Sequence, residues 1–228
     1  MPTVFITGAN RGIGLEMARQ YGADGWTVVA TCRNPIAPGE LATIPGDIRV
    51  HGLDVADHRQ VERLAGDMAD TKIDLLINNA GVYGDRNTGH QDIDFADWDQ
   101  AFRINTMAPL KVSGAFLPLV AANGGGMIAT VSSVLSSIAE SSPNSASYAY
   151  RTSKAAVNMT MHVFAEEVRA QNVAVILLHP GWVQTDMGGA GAAIDAKTSV
   201  TGIRKVLAGA GMAESGRLFA YDGREIPW

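Results

Sequence analysis

Short apolar runs alternate with longer helical patterns along almost the whole of this 228-residue sequence. The runs VFIT, TVVAT, IDLLI, MIATV and VAVILL are apolar at nearly every position, as strands covered on both faces must be. Seven strands are predicted in total, at residues 3–7, 27–32, 48–53, 74–78, 127–132, 173–179 and 217–221. The alternation predicts a parallel sheet covered by crossover helices.

The segments between these strands carry apolar residues at helical spacing. The predicted helices cover residues 13–23, 59–68, 98–120, 150–170 and 197–207. No internal repeat or proline-rich linker divides the chain, so we expect a single Rossmann-type, doubly wound α/β domain over residues 1–228. The glycine-rich or polar stretches 84–92 and 188–195 are expected to be the mobile loops.

Charge and composition exclude several classes of partner. A formal net charge of -5, without any run of lysine or arginine, argues against nucleic acid or an anionic membrane. Nowhere do about 18 apolar residues run together, and no basic leader opens the sequence, so we expect a soluble, cytoplasmic protein. The lone Cys32 cannot form an intramolecular disulfide. Because the five histidines lack metal-ligand spacing, no metal site is expected.

A glycine-rich loop follows the first predicted strand and opens the first helix. It reads Thr7-Gly8-Ala9-Asn10-Arg11-Gly12-Ile13-Gly14. Without β-carbons at its glycines, backbone N–H groups can approach a pyrophosphate at a helix N-terminus. The loop is interpreted as a phosphate cradle, although a tight strand-to-helix turn would need the same glycines.

The end of the second strand indicates the choice of cofactor. An acidic residue there would bind the 2′-hydroxyl of NAD, but the chain has Thr31 and Cys32 followed by Arg33. A guanidinium can pair with a 2′-phosphate, and Arg11 in the glycine loop is a second cation. NADPH is therefore the predicted cofactor. The alternative is that Arg33 is a solvated surface arginine.

Tyr150 and Lys154 stand at positions i and i+4 of a predicted helix and so share one face. Carbonyl reduction needs an acid that is protonated at neutral pH, and a nearby cation lowers a phenol pKa from about 10 by favouring the phenolate. We therefore expect Lys154 to lower the pKa of Tyr150. Tyr148 is a rival phenol, but Thr152 stands four residues after it, so Tyr148 is expected to pack or to line the pocket.

Three motifs together resemble the classical short-chain dehydrogenase/reductase family. They are TGxxxGIG in the first loop, Asn78-Asn79-Ala80-Gly81 after the fourth strand, and the YxxxK pair. The segments YAYRTSK, HPGWVQTDM and YDGREIPW are similar to the C-factor-like and sniffer-like carbonyl reductase branch of that family. Recognisable segments extend from residue 3 to residue 228.

The resemblance implies which residues bind the dinucleotide. Each also has a structural alternative, since Asp54 could merely end a strand and the NNAG segment could be a turn that ties neighbouring loops together. The implied residues are Gly8, Asn10, Arg11, Gly12, Ile13 and Gly14 at the pyrophosphate, Asp54 and Val55 at the adenine, Asn79, Ala80 and Gly81 beside the adenine ribose, Tyr150 and Lys154 at the nicotinamide ribose, and Pro180, Gly181, Val183 and Thr185 at the nicotinamide half.

The resemblance also implies two further catalytic residues. Ser133 matches the serine that hydrogen-bonds the substrate carbonyl, with Ser132 as the alternative. The separation between Ser133 and Tyr150 is somewhat longer than usual in the family, so this assignment is open. Asn105 matches the asparagine that holds a water linking the lysine to solvent, although it could instead be a polar spot on the outside of a helix.

These observations predict an NADP(H)-dependent enzyme that reduces an aldehyde, ketone or quinone, or runs the reverse reaction, with a small carbonyl or alcohol as its partner. A dinucleotide-binding regulatory or signalling protein with little turnover is the alternative, because fold alone does not determine function. The substrate is not encoded in any motif; segments around Tyr83, 135–144 and 182–194 would surround it. A homodimer or homotetramer is implied by family members that pair the helices at 98–120 and 150–170.

Overall fold

The computed structural model describes residues 1–84, 89–122, 124–141 and 147–228. Parts of the expected loops at 84–92 and 135–144, namely 85–88 and 142–144, lie outside the described residues. Seven parallel strands form one sheet in these parts of the chain, in the order β3-β2-β1-β4-β5-β6-β7. The strands are β1 Thr3–Ile6, β2 Thr27–Cys32, β3 Ile48–Gly52, β4 Leu75–Asn78, β5 Gly126–Val131, β6 Val173–His179 and β7 Leu218–Ala220.

The helices that cover the sheet agree with the apolar periodicity except at one place. They are α1 Gly12–Ala23, α2 His58–Asp67, α3 Phe95–Phe102, α4 Ala108–Ala121, α5 Tyr148–Val168 and α6 Ala196–Gly209. Short 3-10 turns occur at Gly39–Thr43, Val134–Ser136 and Arg169–Gln171. The predicted Rossmann-type, doubly wound architecture is confirmed.

Residues 98–120 are helical throughout, as predicted, but a π-helical turn at Arg103–Met107 interrupts the regular α-helix between α3 and α4. The cause lies in the sequence. Pro109 occupies the first turn of α4 and has no N–H to donate to the carbonyl of Asn105 four residues earlier. An α-helical hydrogen bond is impossible at that point, so the helix widens there.

One helical stretch in the described part of the chain, Phe95–Ala121, is long and apolar enough to cross a membrane by length and composition. Half of its most apolar window is buried in the protein. Within that stretch Val112 and Phe116 are almost fully buried, and the Phe116 ring lies 4.4 Å from that of Phe5 in β1. This packing is that of a core helix.

Two apolar clusters form the core, one on each face of the sheet. Phe5, Leu76 and Met161 belong to the cluster between the sheet and α4 and α5. Met17 and Ile203 belong to the cluster under α1 and α6. Every residue of β1, β2 and β4 is buried, which explains the nearly continuous apolar runs in the sequence.

The strand order places a ligand crevice at one edge of the sheet. The chain runs outward from β1 to β2 and β3, then returns so that β4 pairs with the opposite side of β1. In open parallel sheets, ligands bind beyond the carboxyl ends of the strands at such a switch point. The segments that follow β1, β4, β5 and β6 all begin at this edge.

Candidate active site

The glycine loop leaves β1 in a backbone conformation that needs glycine. Gly8 and Gly12 have φ angles of +64° and +56°. A β-carbon on Gly14 would lie 2.5 Å from both the Asn79 side-chain nitrogen and the Gly8 carbonyl oxygen. Arg11, the N-cap residue of α1, makes no side-chain capping bond, so its side chain does not satisfy the first N–H groups of the helix. This arrangement is suited to an anionic ligand.

The segment after β4 ties itself to the glycine loop. The Thr7 hydroxyl accepts hydrogen bonds from the N–H groups of Asn79 and Ala80. In turn the Asn79 side chain donates to the carbonyls of Thr7 and Gly8, at 3.0 and 3.1 Å. Without a bound ligand, Asn79 therefore acts as the structural alternative predicts: it ties the NNAG segment to the glycine loop and fixes the shape of the phosphate cradle.

The end of β2 combines an exposed cation with an unsatisfied hydroxyl. Arg33 is exposed, and the buried side-chain oxygen of Thr31 has no hydrogen-bond partner within the described chain. Arg11, expected to be a second cation for the cofactor phosphate, instead pairs with Asp186 at 2.9 Å. Both members of that pair are well exposed, so the contact is weak and can exchange with a ligand.

Asp54 and Val55 follow β3 at the same edge of the sheet. The Asp54 carboxylate accepts a hydrogen bond from the N–H of Ala56 at 3.0 Å, and its own N–H donates to the Gln60 side chain. Val55 is buried in the core cluster. Asp54 thus shapes the turn into α2 and does not end a strand, because β3 stops at Gly52.

The segment after β6 crosses in front of the glycine loop. Gly181 has a φ of +85°, and the Pro180 carbonyl accepts a hydrogen bond of 2.6 Å from Ser199 in α6. A β-carbon on Gly12 would lie 3.2 Å from the methyl carbon of Thr185. Val183 is buried and pairs with Ile194. The two loops therefore face each other across a narrow gap.

Tyr150 and Lys154 lie buried on the same face of α5. The Lys154 ammonium is 5.8 Å from the centre of the Tyr150 ring and donates a 2.8 Å hydrogen bond to the Val131 carbonyl at the end of β5. Tyr150 is 9% exposed, and the Ser133 side chain is close enough to its phenol to act on the pKa of that group. The structure thus brings together the three residues that the sequence placed at the reacting group.

The expectation that the pKa of Tyr150 lies below its usual value is wrong. Burial raises the pKa of Tyr150 to about 12, while the Ser133 side chain opposes that rise and the nearby Tyr83 phenol adds to it. Burial also lowers the pKa of Lys154 to about 8. Desolvation outweighs the attraction between the two groups because the ammonium bonds to a carbonyl and not to the phenol. Tyr150 is therefore a neutral, proton-holding phenol near pH 7.

The two candidate serines point to different surroundings. Ser132 is fully buried and donates a 2.6 Å hydrogen bond to Asn158 on α5, away from the phenol. The Ser133 side chain acts on the pKa of the Tyr150 phenol, and its oxygen accepts the N–H of Leu135 in the short 3-10 turn Val134–Ser136. Geometry therefore favours Ser133 as the serine beside the reacting group.

Asn105 lies in the π-helical turn and is fully buried, so the outward-facing alternative is wrong for this residue. Its side-chain oxygen accepts the N–H of Val82, and its amide nitrogen donates to the Val82 carbonyl, both at 2.9 Å. The same amide nitrogen donates to Ser153 on α5 at 3.0 Å. A β-carbon on Gly81 would lie 3.2 Å from the Asn105 oxygen. Asn105 thus links the segment after β4 to the helix of the phenol.

Sequence reasoning missed the closest aromatic neighbour of the phenol. Tyr83 was expected only to line a pocket, but its ring stacks on that of Tyr150 with centroids 4.5 Å apart and planes 11° from parallel. The missed contact joins two distant segments. The only signal for it was an aromatic residue two positions after the NNAG segment.

These residues fit a dinucleotide. The glycine positions leave no room for side chains, and the unpartnered Thr31 hydroxyl is the kind of buried group that a bound ligand satisfies. Among the residues that the structure describes, no cluster of three or more histidine, cysteine, aspartate or glutamate side chains could hold a metal ion.

Comparison with known proteins gives consistent results. The family model for short chain dehydrogenases matches residues 2–193. The C-signal protein of Myxococcus xanthus is 44% identical over 156 residues, which are 68% of this chain and 93% of that protein. The carbonyl reductase Sniffer of D. melanogaster has a TM-score of 0.92 at 29% identity, with both chains fully covered. The NADPH-bound carbonyl reductase from chicken fatty liver has a TM-score of 0.90 at 32% identity, covering 100% of this chain and 99% of that one.

Proposed function

This chain belongs to the short-chain dehydrogenase family, and on that premise we propose that it reduces a carbonyl compound to an alcohol with NADPH. One observation carries the proposal. Tyr150, a neutral phenol at pH 7, interacts with the nearby side chain of Ser133, and the Lys154 ammonium is on the same helical face. Proton delivery to a carbonyl oxygen requires an acid, a hydroxyl that donates a hydrogen bond to this oxygen, and a cation near the acid.

The cofactor would be held by residues on both sides of the switch point. The N–H groups around Gly12 and Gly14 suit its pyrophosphate, and Arg33 with the Thr31 hydroxyl suits a 2′-phosphate. The absence of an acidic residue at the end of β2 supports NADPH over NADH. The similarity to a carbonyl reductase whose structure contains NADPH supports the same choice.

The chain's own residues would manage the proton. When bound, the reduced nicotinamide supplies the hydride. Ser133 orients the carbonyl oxygen towards Tyr150, and Tyr150 gives up the proton on its phenol oxygen. The positive charge on Lys154 then stabilises the phenolate that is left. The raised pKa of Tyr150 keeps the phenol in its protonated form at neutral pH, and this is the form that donates a proton during reduction.

Proton reloading would pass through the region between Lys154 and Asn105. Pro109 cannot donate to the Asn105 main-chain carbonyl, so this carbonyl can accept a water molecule beside the buried lysine. Lys154 and the side chain of Asn105 lie near each other, since a β-carbon on Gly81 would be 3.7 Å from the ammonium and 3.2 Å from the Asn105 side-chain oxygen.

The test is loss of NADPH absorbance with a panel of aldehydes, ketones and quinones. Turnover of at least one carbonyl, slower with NADH than with NADPH, is the expected result. Tight NADPH binding without turnover on any carbonyl would instead favour a second candidate, a dinucleotide-binding signalling protein. The 44% identity to the protein called C-signal is the observation that favours this second candidate.

We propose that residues 1–228 act as one domain in the cytoplasm, with a small carbonyl or alcohol as the partner.

We also propose that α4 and α5 pair in a homodimer or homotetramer. The reason is the large apolar side chains exposed on α4, on α5 and in the π-helical turn before α4, namely Met107, Leu110, Met159 and Val163. Sedimentation analysis tests the association, and a monomer at high protein concentration would contradict it.

A further inference from the structure

Tyr83 covers one face of the phenol that the proposed function uses. The two rings lie 4.5 Å apart and nearly parallel, and Tyr150 is buried. The Ser133 side chain is close enough to the Tyr150 phenol to act on its pKa. A side chain in such a position restricts how far the phenol can turn about its own bonds.

The place of Tyr83 is fixed from its main chain. Asn105 holds both the N–H and the carbonyl of the preceding residue, Val82, at 2.9 Å. Asn105 also donates to the Ser153 hydroxyl, which donates to the Tyr150 carbonyl on α5. The backbone that presents Tyr83 is therefore connected to the backbone that presents Tyr150.

The Tyr83 side chain is also fixed at its far end. Its hydroxyl lies 3.1 Å from the hydroxyl of Ser147, the residue that precedes α5. Ser147 is 2% exposed and has a φ of +87°, which is unfavourable for a residue with a side chain. Its hydroxyl makes no capping bond to the helix. Ser147 thus has an unfavourable backbone conformation, and its hydroxyl bonds with the Tyr83 hydroxyl instead of capping α5.

From these contacts we propose that Tyr83 is a positioning residue, which holds the Tyr150 ring in the orientation that places its hydroxyl against Ser133. This role rests on the proposed function of Tyr150 as the proton donor. Without the Tyr83 ring, Tyr150 would gain rotational freedom, and the fraction of molecules ready for proton transfer would fall. Cofactor binding, which depends on the glycine loop, would not change.

Two substitutions separate the ring from its hydroxyl. Tyr83→Leu removes the stack, and we expect kcat to fall about tenfold or more while KM and the Kd for NADPH stay unchanged. Tyr83→Phe keeps the stack and should restore kcat to near the native value. Equal losses in both variants, or a loss confined to KM or to NADPH binding, would overturn the proposal.

A matched control accounts for general loss of stability. Tyr21→Leu removes a tyrosine that packs against Trp26 beside α1, away from the phenol. It should lower the melting temperature while the folded enzyme keeps its kcat. If Tyr83→Leu lowered the melting temperature alone, with kcat unchanged, Tyr83 would be only a structural residue and the proposal would be wrong.

A crystal structure of the Tyr83→Leu variant separates this proposal from the proposed function. We expect the Tyr150 ring to turn away from Ser133. An unmoved ring would overturn the positioning role even if the native protein reduces carbonyls. A displaced ring would support that role even if the native protein turned over no carbonyl, in which case the proposed function alone fails.

A second pair of variants covers the case in which Tyr83→Leu does not fold. Ser147→Gly removes the hydroxyl and suits a φ of +87°, while Tyr83→Phe removes the other half of the same hydrogen bond. We expect a small loss of kcat in Ser147→Gly that does not increase when Tyr83→Phe is added, because the two hydroxyls form one hydrogen bond. A double variant with a clearly larger loss than Ser147→Gly alone would show that the two hydroxyls do not act as a pair, and would overturn the proposal.

Discussion

The Lys154 ammonium donates its 2.8 Å hydrogen bond to the Val131 carbonyl, and in this arrangement it stays 5.8 Å from the centre of the Tyr150 ring. The cation is thus anchored to the end of β5 and not to the phenol. Burial therefore dominates the pKa of both groups and moves them towards their neutral forms. At neutral pH Tyr150 therefore carries its proton, and Lys154 loses its charge at mildly alkaline pH.

The lysine predicts the pH dependence of reduction. A pKa lowered to about 8 means that the ammonium is present below pH 8 and is lost as the pH rises through that value. We expect kcat to decline over this range, because neutral Lys154 no longer stabilises the Tyr150 phenolate. A pH–rate profile of the native enzyme, measured with saturating NADPH, checks this.

Replacing Lys154 by a charged or an uncharged residue tests whether its charge causes this pH dependence. Lys154→Arg keeps a cation whose pKa is above about 12, so the decline near pH 8 should vanish even if kcat is lower overall. Lys154→Met should lower kcat by about 10²- to 10³-fold at every pH. A native profile that is flat from pH 7 to 10 would contradict the role given to Lys154.

The cofactor preference should depend on Arg33. Arg33→Ala should weaken NADPH binding by about 10- to 100-fold and leave NADH binding nearly unchanged, since only NADPH carries the 2′-phosphate. Titration of each cofactor by fluorescence measures both affinities. The control is Arg169→Ala, which removes an exposed arginine paired with Glu166 at the end of α5. Equal weakening for both cofactors would refute the phosphate contact.

The two serines should separate catalysis from stability. Ser133→Ala should lower kcat by about 10²- to 10³-fold, because a hydroxyl beside the reacting oxygen is lost. Ser132→Ala should leave kcat close to native but reduce the free energy of unfolding by about 1–3 kcal/mol, because the side-chain oxygen of buried Asn158 loses the hydroxyl that donates to it. Steady-state kinetics and urea denaturation provide the two measurements. The reverse pattern would assign catalysis to Ser132.

The glycine loop should not tolerate a methyl group at Gly14. Gly14→Ala should lower the free energy of unfolding by about 1–3 kcal/mol and weaken NADPH binding, since the new carbon meets the Gly8 carbonyl and the Asn79 side chain. Gly66→Ala in α2, where a methyl meets nothing within 4 Å, should be neutral or slightly stabilising. Similar effects at both positions would contradict the close packing of the loop.

The sequence alone was enough to predict the sheet and its covering helices. The strand predictions agree with the structure to within one residue at either end, because strands buried on both faces are apolar throughout. The π-helical turn was missed because apolar spacing continues through it. The disruption comes from one missing N–H at Pro109.

The candidate site could be predicted as a set of residues but not as an arrangement. Ser132 and Ser133 are neighbours on an extended chain and point to opposite sides, so the sequence leaves open which one faces Tyr150. The pKa of Tyr150 was predicted in the wrong direction because it depends on burial by distant segments. The Tyr83 stack likewise forms only when the segment after β4 meets α5.

The most direct test of the proton-donor role is the turnover of Tyr150→Phe, which keeps the ring and its stack on Tyr83 but has no proton to give. With a carbonyl that the native enzyme reduces, kcat should fall by about 10²- to 10⁴-fold while the Kd for NADPH remains unchanged. A variant that still reduces the carbonyl at the native rate would contradict the assignment of Tyr150 as the acid.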